Sequence, residues 1–211
     1  MNRSFIFIFL IIFGCSLNAQ KSFEGLIKFK TEISTTELAP NGFKKMLNES
    51  YGDSLMMYYS SDGKFRRVHL NSAENGRDSQ FYFPDNDKIY LTYKNSSKID
   101  SLDVKINSLK LIGRRKIKNQ KIMNLDCECY EYKAVSIYNQ NVTLNYCYHP
   151  KSPKINPKFY SEHNDFFLNE YYKLAKRPYL KFSIETDEFK ISYTATELIE
   201  KKIDENIFEL K

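Results

Sequence analysis

The stretch Ser54–Tyr93, SLMMYYSSDGKFRRVHLNSAENGRDSQFYFPDNDKIYLTY, decides the fold. Ser54 to Tyr59 alternates as a strand and runs into Ser60-Ser61-Asp62-Gly63, a turn whose positive-φ position falls on Gly63. Lys64 to Leu70 (KFRRVHL) returns. Asn75-Gly76 reverses the chain again ahead of Gln80-Phe81-Tyr82-Phe83, and Pro84-Asp85-Asn86-Asp87 turns it into Ile89 to Tyr93. Short strands separated by turn residues predict an antiparallel meander.

Upstream, Pro40-Asn41-Gly42 precedes a short helix expected over Phe43 to Tyr51, which Gly52-Asp53 ends. Before it, Phe23 to Ile33 reads as a half-buried strand. Ile27, Phe29, Thr31 and Ile33 share one face, and Lys28, Lys30 and Glu32 the other. Residues 1–20 read as a secretory signal. Arg3 begins it, Phe5 to Phe13 is an apolar run too short to span a bilayer, and Leu17-Asn18-Ala19 supplies the small residue before cleavage. The competing reading makes Cys15 a lipid-bearing residue. Either way the chain is expected to be exported, to the periplasm or cell surface. No other run is long and apolar enough to cross the membrane once the signal is removed.

Downstream, residues 95–121 are polar and basic, ending in Arg114-Arg115-Lys116-Ile117-Lys118-Asn119-Gln120-Lys121. A single-strand nucleic-acid surface needs aromatics among its charges, and this run has none. The net charge is +6 but both signs are interspersed, so the run reads as solvated strand and loop and nucleic acid is not expected as a partner. After Pro150, Pro153 and Pro157, Lys158 to Ala175 (KFYSEHNDFFLNEYYKLA) is the best helix candidate. Its stripe of Phe159, Phe166, Phe167 and Tyr171 is a candidate lining for a ligand cavity, or plain core. Two closing strands follow, Tyr179 to Glu185 and Phe189 to Thr196, and Ile203 with Ile207-Phe208-Glu209-Leu210 is expected to tuck the terminus against the sheet. Sixteen Tyr, 16 Phe and abundant Ile favour strand over helix.

Between these parts lies a hairpin, Asp126-Cys127-Glu128-Cys129-Tyr130-Glu131-Tyr132 returning as Tyr146-Cys147-Tyr148-His149. Two registers are open. A tight turn at Asn139-Gln140 matches Ile137 with Val142 and Val135 with Leu144, but places Cys129 roughly 10 Å from Cys147. A wider loop or bulge pairs Cys129 with Cys147, and Cys127 with His149, at the expense of those apolar pairs. The second register permits a Cys129–Cys147 disulfide. The set Cys127, Cys129, Cys147 and His149 is the one candidate metal site, a weaker alternative. With three cysteines beyond residue 20, one thiol remains unpaired within the chain.

The sequence contains no nucleophile elbow, HExxH, phosphate-cradling glycine loop or calcium loop, and His69, His149 and His163 fall on separate elements. No catalytic residue and no cofactor is expected.

The layout resembles a group of Gram-negative envelope proteins, the GLPGLI-type and related families of unknown function. The resemblance rests on the Asn18-Ala19-Gln20 signal end, the opening Phe23-Glu24-Gly25-Leu26-Ile27-Lys28-Phe29 and the Ile122 to Tyr132 strand with its cysteines. It also rests on the return Tyr146-Cys147-Tyr148 and the closing Ile207-Phe208-Glu209-Leu210. The Gly-Leu-Pro-Gly-Leu-Ile motif itself is absent, with Arg177-Pro178-Tyr179-Leu180 in its place. The resemblance implies a fold similar to lipoprotein carriers. The expectation is therefore a mainly β (α+β) chain in which residues 21–211 form one domain. That domain is a curved antiparallel sheet, or incomplete β-barrel, with one or two helices on its concave side. Its expected role is to bind a lipid or other hydrophobic ligand, or an envelope protein. The alternatives are a structural or protein-interaction module and, more weakly, a metal-handling protein.

Overall fold

In a computed structural model of the chain, residues 22–210 are described. The expected signal at 1–20, its cleavage point and Cys15 lie outside them. Eleven strands form one antiparallel sheet. In chain order they are β1 (Gly25–Thr35), β2 (Ser54–Tyr59), β3 (Phe65–Leu70), β4 (Arg77–Phe83), β5 (Lys88–Tyr93), β6 (Ile99–Asp103), β7 (Leu109–Ile122), β8 (Leu125–Ser136), β9 (Asn141–Tyr148), β10 (Lys181–Glu185) and β11 (Phe189–Glu200). Across the sheet the order is β6-β5-β4-β3-β2-β1-β11-β10-β9-β8-β7, so it is not closed into a barrel. Helix α1 (Phe43–Tyr51) leads into β2, and α2 (Leu168–Ala175) precedes β10.

The meander has its expected strands, and α1 stops where Gly52 predicts. Gly52 sits at φ 69, and a Cβ there would collide with the carbonyl of Leu70. Gly63, at φ 92, is likewise required, because any side chain would strike the Phe159 ring.

β6 and β7 are the two edges of the sheet, yet only residues 104–108 separate them in sequence. In a flat sheet, ten interstrand spacings would set those edges about 48 Å apart. The short link spans at most about 20 Å even fully extended. The sheet therefore has to curl until its edges approach, and the link holds it so.

The curl is plugged by residues 157–175. The sequence predicts one helix over 158–175, and the structure breaks it into 3₁₀ turns at Pro157–Tyr160 and Asp165–Phe167 followed by α2. The cause is competition for backbone groups from the 104–108 link. The amides of Asn164 and Asp165 donate to the carbonyl of Val104 at 2.8 and 3.2 Å, and Asn107 Nδ2 donates to the carbonyl of Asn164 at 2.7 Å. The amides of Asn164 and Asp165 are thereby drawn out of the helical ladder, while the Asn164 carbonyl still accepts the Phe167 amide at 2.9 Å in a 3₁₀ turn. Phe166 and Phe167 then take left-handed conformations at φ 51 and 59, at about 1–2 kcal/mol each. Burial of Phe167, which stacks on Tyr132 at 6.2 Å, returns about 1.5–3 kcal/mol.

Tyrosine is the material of this interior. Tyr59, Tyr82, Tyr132, Tyr146, Tyr160, Tyr171, Tyr172 and Tyr179 are each under 2% exposed. An irregular plug leaves carbonyls that no ladder satisfies, and buried carbonyls need partners. Tyr82 donates to the carbonyl of Phe159 at 2.8 Å, Tyr146 to that of Phe166 at 2.9 Å and Tyr171 to that of Arg177 at 3.2 Å. Phenylalanine would fill the same space but leave these carbonyls bare.

The hairpin takes the wider register, with Cys129 opposite Cys147 and Val135 opposite Asn141. Facing residues of an antiparallel pair point to the same side of the sheet. Only an even-to-even match puts Tyr132, Ala134, Val142, Leu144 and Tyr146 together on the buried, plug-facing side. The tight turn would have matched even with odd and split that set. Ser136 builds the wider loop, its Oγ accepting from the amides of Tyr138 and Gln140 at 3.2 Å each. Ile137 and Tyr138 are left exposed as a result.

At the terminus Ile203 and Phe208 are buried, and Arg66 fastens the tail by donating to the carbonyl of Ile207 at 3.1 Å. Leu210 stays largely exposed.

Candidate functional site

Beside the plug, the curled sheet forms a partly open cavity of about 250 Å³. Its apolar walls come from two groups of strands: Leu55, Leu91 and Leu102 on β2, β5 and β6, and Phe182, Ile184 and Ile191 on β10 and β11. Phe166 closes the plug side, its left-handed backbone turning the ring to within 6.0 Å of Phe182.

The polar part of the lining comes chiefly from β3 and β4. On β3, Phe65, Arg67 and His69 alternate onto the inner face. Arg67 pairs with Gln80 across to β4, and Gln80 with Leu91 on β5. Arg67 Nη2 donates to Tyr179 Oη at 2.9 Å and Nη1 to Gln80 Oε1 at 3.2 Å, while the guanidinium lies 5.1 Å over the Phe65 ring. Its Nε is buried without a partner. Arg77 rests 4.6 Å over Tyr51. Among the described residues, no salt bridge involves Arg67 or Arg77.

Two further titratable groups line the space. His69 is 4% exposed, and its Nδ1 donates to the carbonyl of Tyr51 at 3.2 Å, which leaves Nε2 as a bare acceptor. Burial, then the nearby Arg77 charge, pushes its pKa down to about 4, so the ring is neutral. Burial raises the Asp165 carboxyl to about 6, with the Arg67 charge pulling the other way.

Of the four aromatic residues singled out in the sequence, only Phe166 lines this cavity. Phe159 packs over Gly63, Phe167 stacks on Tyr132, and Tyr171 stacks on Tyr146 at 4.5 Å, so these three are core. Arg67 went unnoticed in the sequence. Its signal was parity with Phe65, masked because Val68 and Leu70 on the opposite face of KFRRVHL are equally apolar.

The cysteine and histidine set is not a metal site here. Cys129 and Cys147 are joined as a disulfide, S–S 2.09 Å, with Cα atoms 4.1 Å apart. Cys127 is buried, and burial pushes its thiol up to about 11, so it is poorly reactive. His149 Nδ1 faces the carbonyl of Asp126 at 3.1 Å. Among the described residues no group of three or more His, Cys, Asp or Glu is placed to hold a metal ion, and no helix is long and apolar enough to cross a membrane.

A larger cleft of about 580 Å³ has a polar lining, including Lys151, Lys154, Lys201 and Lys202. It borders Ser22, where the described residues begin, and Phe23 and Pro153 are its apolar side chains.

No family model matches the chain, the GLPGLI-type one included, and no curated protein matches it. Among solved structures 13 chains match. One is a crystal structure titled "putative outer membrane lipoprotein-sorting protein domain" from Vibrio parahaemolyticus. It aligns over 90% of this chain and 92% of that one, at 9% identity and a TM-score of 0.40. At that score the likeness bears on neither fold nor function.

Proposed function

We propose that this chain is a non-enzymatic binding protein of the cell envelope that holds a small hydrophobic ligand in the cavity between β2–β6 and β10–β11. The observation that carries this reading is a preformed, partly open space walled by Leu55, Leu91, Phe182, Ile184 and Ile191 beside a plug that fills only part of the curl. Buried apolar walls with a few convergent polar groups are the usual makeup of ligand sites. The volume suits a ligand of roughly eight water-sized groups. That admits a medium acyl chain and is too small for a whole phospholipid. Export to the envelope is the sequence-based part of the reading.

Calorimetric titration of the full chain with octan-1-ol, an uncharged amphiphile of that size, tests the reading. One saturable site is expected, and it should be lost in Ile184→Trp, where the indole occupies the space. A featureless titration of the folded wild-type chain would sink the proposal.

The rival reading is a protein-interaction module that uses a free sheet edge. The observation in its favour is the fourteen-residue edge strand β7, with Ile112 exposed. The same strand presents Lys110, Arg114, Arg115, Lys116, Lys118 and Lys121, and charge along an edge discourages strand addition. A concentration-dependent dimer in sedimentation would favour the rival over the binding protein.

A further inference from the structure

Arg67 and Arg77 line one small cavity, Arg77 half-buried, and among the described residues neither is paired with a carboxylate, although charges drawn away from water are ordinarily matched. Arg67 reaches the inner face from the middle of β3, held by Tyr179 and Gln80, both neutral partners. Its Nε–H is buried with nothing to donate to. Arg77 enters the lining from the start of β4, its guanidinium lying over the face of Tyr51. The one acid in the lining is Asp165. It leaves a net positive charge even when ionised, and burial favours its neutral form.

We infer that the ligand of this cavity is an amphiphile with an anionic head of carboxylate type, seated on Arg67 and Arg77, with its chain lying along Leu55, Phe182 and Ile191. A planar carboxylate offers two oxygens to the donor edges of guanidinium groups, which is the pairing arginine makes best. It would supply the counter-charge that the cavity lining omits. His69 sharpens the choice. Its bare Nε2 accepts and does not donate, so the head is bound by the two arginines and not by the imidazole. A cationic head would meet two guanidinium groups and is excluded by repulsion.

This inference rests on the cavity being a binding site, and matched ligands separate the two claims. The full chain is titrated with octanoate, octan-1-ol and octylammonium at pH 7.5, and with acetate as the head alone. Octanoate is expected to bind at least tenfold more tightly than octan-1-ol, with octylammonium weakest. Arg77→Gln is expected to lower octanoate affinity about tenfold, toward that of octan-1-ol measured on the same variant. Arg67→Lys, which keeps a charge within the sheet, is expected to lower it less than Arg67→Gln; Arg77→Gln provides the test if the Arg67 variants do not fold. Equal binding of octanoate and octan-1-ol would overturn the anionic head and leave the hydrophobic cavity standing. Acetate binding as tightly as octanoate would keep the anion site and overturn the hydrophobic reading. Binding of neither octanoate nor octan-1-ol would overturn both.

Discussion

Asn107 Nδ2 donates to the carbonyl of Asn164 at 2.7 Å, joining the link between the two sheet edges to the turn that breaks the plug. Together with the Asn164 amide on Val104 at 2.8 Å, it makes the curl of the sheet and the irregular shape of the plug one structural event. The cavity lies against that junction, since Asp165 and Phe166 are both in its lining.

Asn107→Ala removes this bond and leaves the Asn164 carbonyl with less support. The expected loss is about 1–2 kcal/mol in denaturant unfolding. Amide exchange should quicken at residues 164–168 and not in β1 or β2. Uniform acceleration across the sheet would show that the link does not hold the plug.

Tyr146→Phe is nearly isosteric and leaves the stacking on Tyr171 and Phe182 in place. It strips the buried carbonyl of Phe166 of its donor, at an expected cost of about 1–3 kcal/mol. Tyr58→Phe, on the opposite, half-buried face of β2, should change stability by less than about 0.5 kcal/mol. If the two variants unfold alike, tyrosine is not serving the plug backbone.

The Cys129–Cys147 bond closes a loop with a sequence separation of 18. Breaking it in Cys129→Ser/Cys147→Ser is expected to cost about 3 kcal/mol. In the folded wild type a maleimide reagent should leave Cys127 unlabelled, and after denaturation it should add one label at that position. Rapid labelling of native Cys127 would contradict its burial.

Asp165 supplies a pH dependence. Its carboxyl titrates near 6 when folded and near 3.8 when not, burial being the cause. As pH rises between those values the unfolded chain releases the proton and the folded chain retains it, so stability present below about 3.8 is lost as pH passes 6. The loss is at most about 3 kcal/mol. Asp165→Asn removes this penalty. Its melting temperature should match that of the wild type at pH 4 and exceed it at pH 7.5. A constant offset at both would exclude the carboxyl as its origin.

His163 acts with the opposite sign. It lies against Phe65 and Tyr82 with neither ring nitrogen partnered, and burial pushes its pKa down to about 3. Below about 6.5 the unfolded chain takes up a proton that the folded chain refuses, so its contribution to stability declines as pH falls from there toward 3. His163→Phe should therefore gain more stability over the wild type at pH 5 than at pH 7.5, read from chemical unfolding at the two values.

Sequence patterning alone determined the strands of the meander, the extent of α1 and the closing strands. Two-residue alternation and turn chemistry act over a few neighbours, and Gly52 and Gly63 announce backbone that other residues tolerate poorly. The hairpin was legible as a hairpin, but not its register. The local turn preference and the Ile137–Val142 pair argued for one match, and the need to put Tyr132, Leu144 and Tyr146 on the plug side required the other. The aromatic stripe of 158–175 was legible as apolar and misread as a continuous helix, because the carbonyl of Val104 that captures its amides lies some sixty residues away. Arg67 belongs to the same category. Alternation places it beside Phe65, but which face of β3 is inner depends on the direction in which the whole sheet curls. That direction is set by the 104–108 link and the plug, contacts between residues far apart in sequence, and only the tertiary structure decides it.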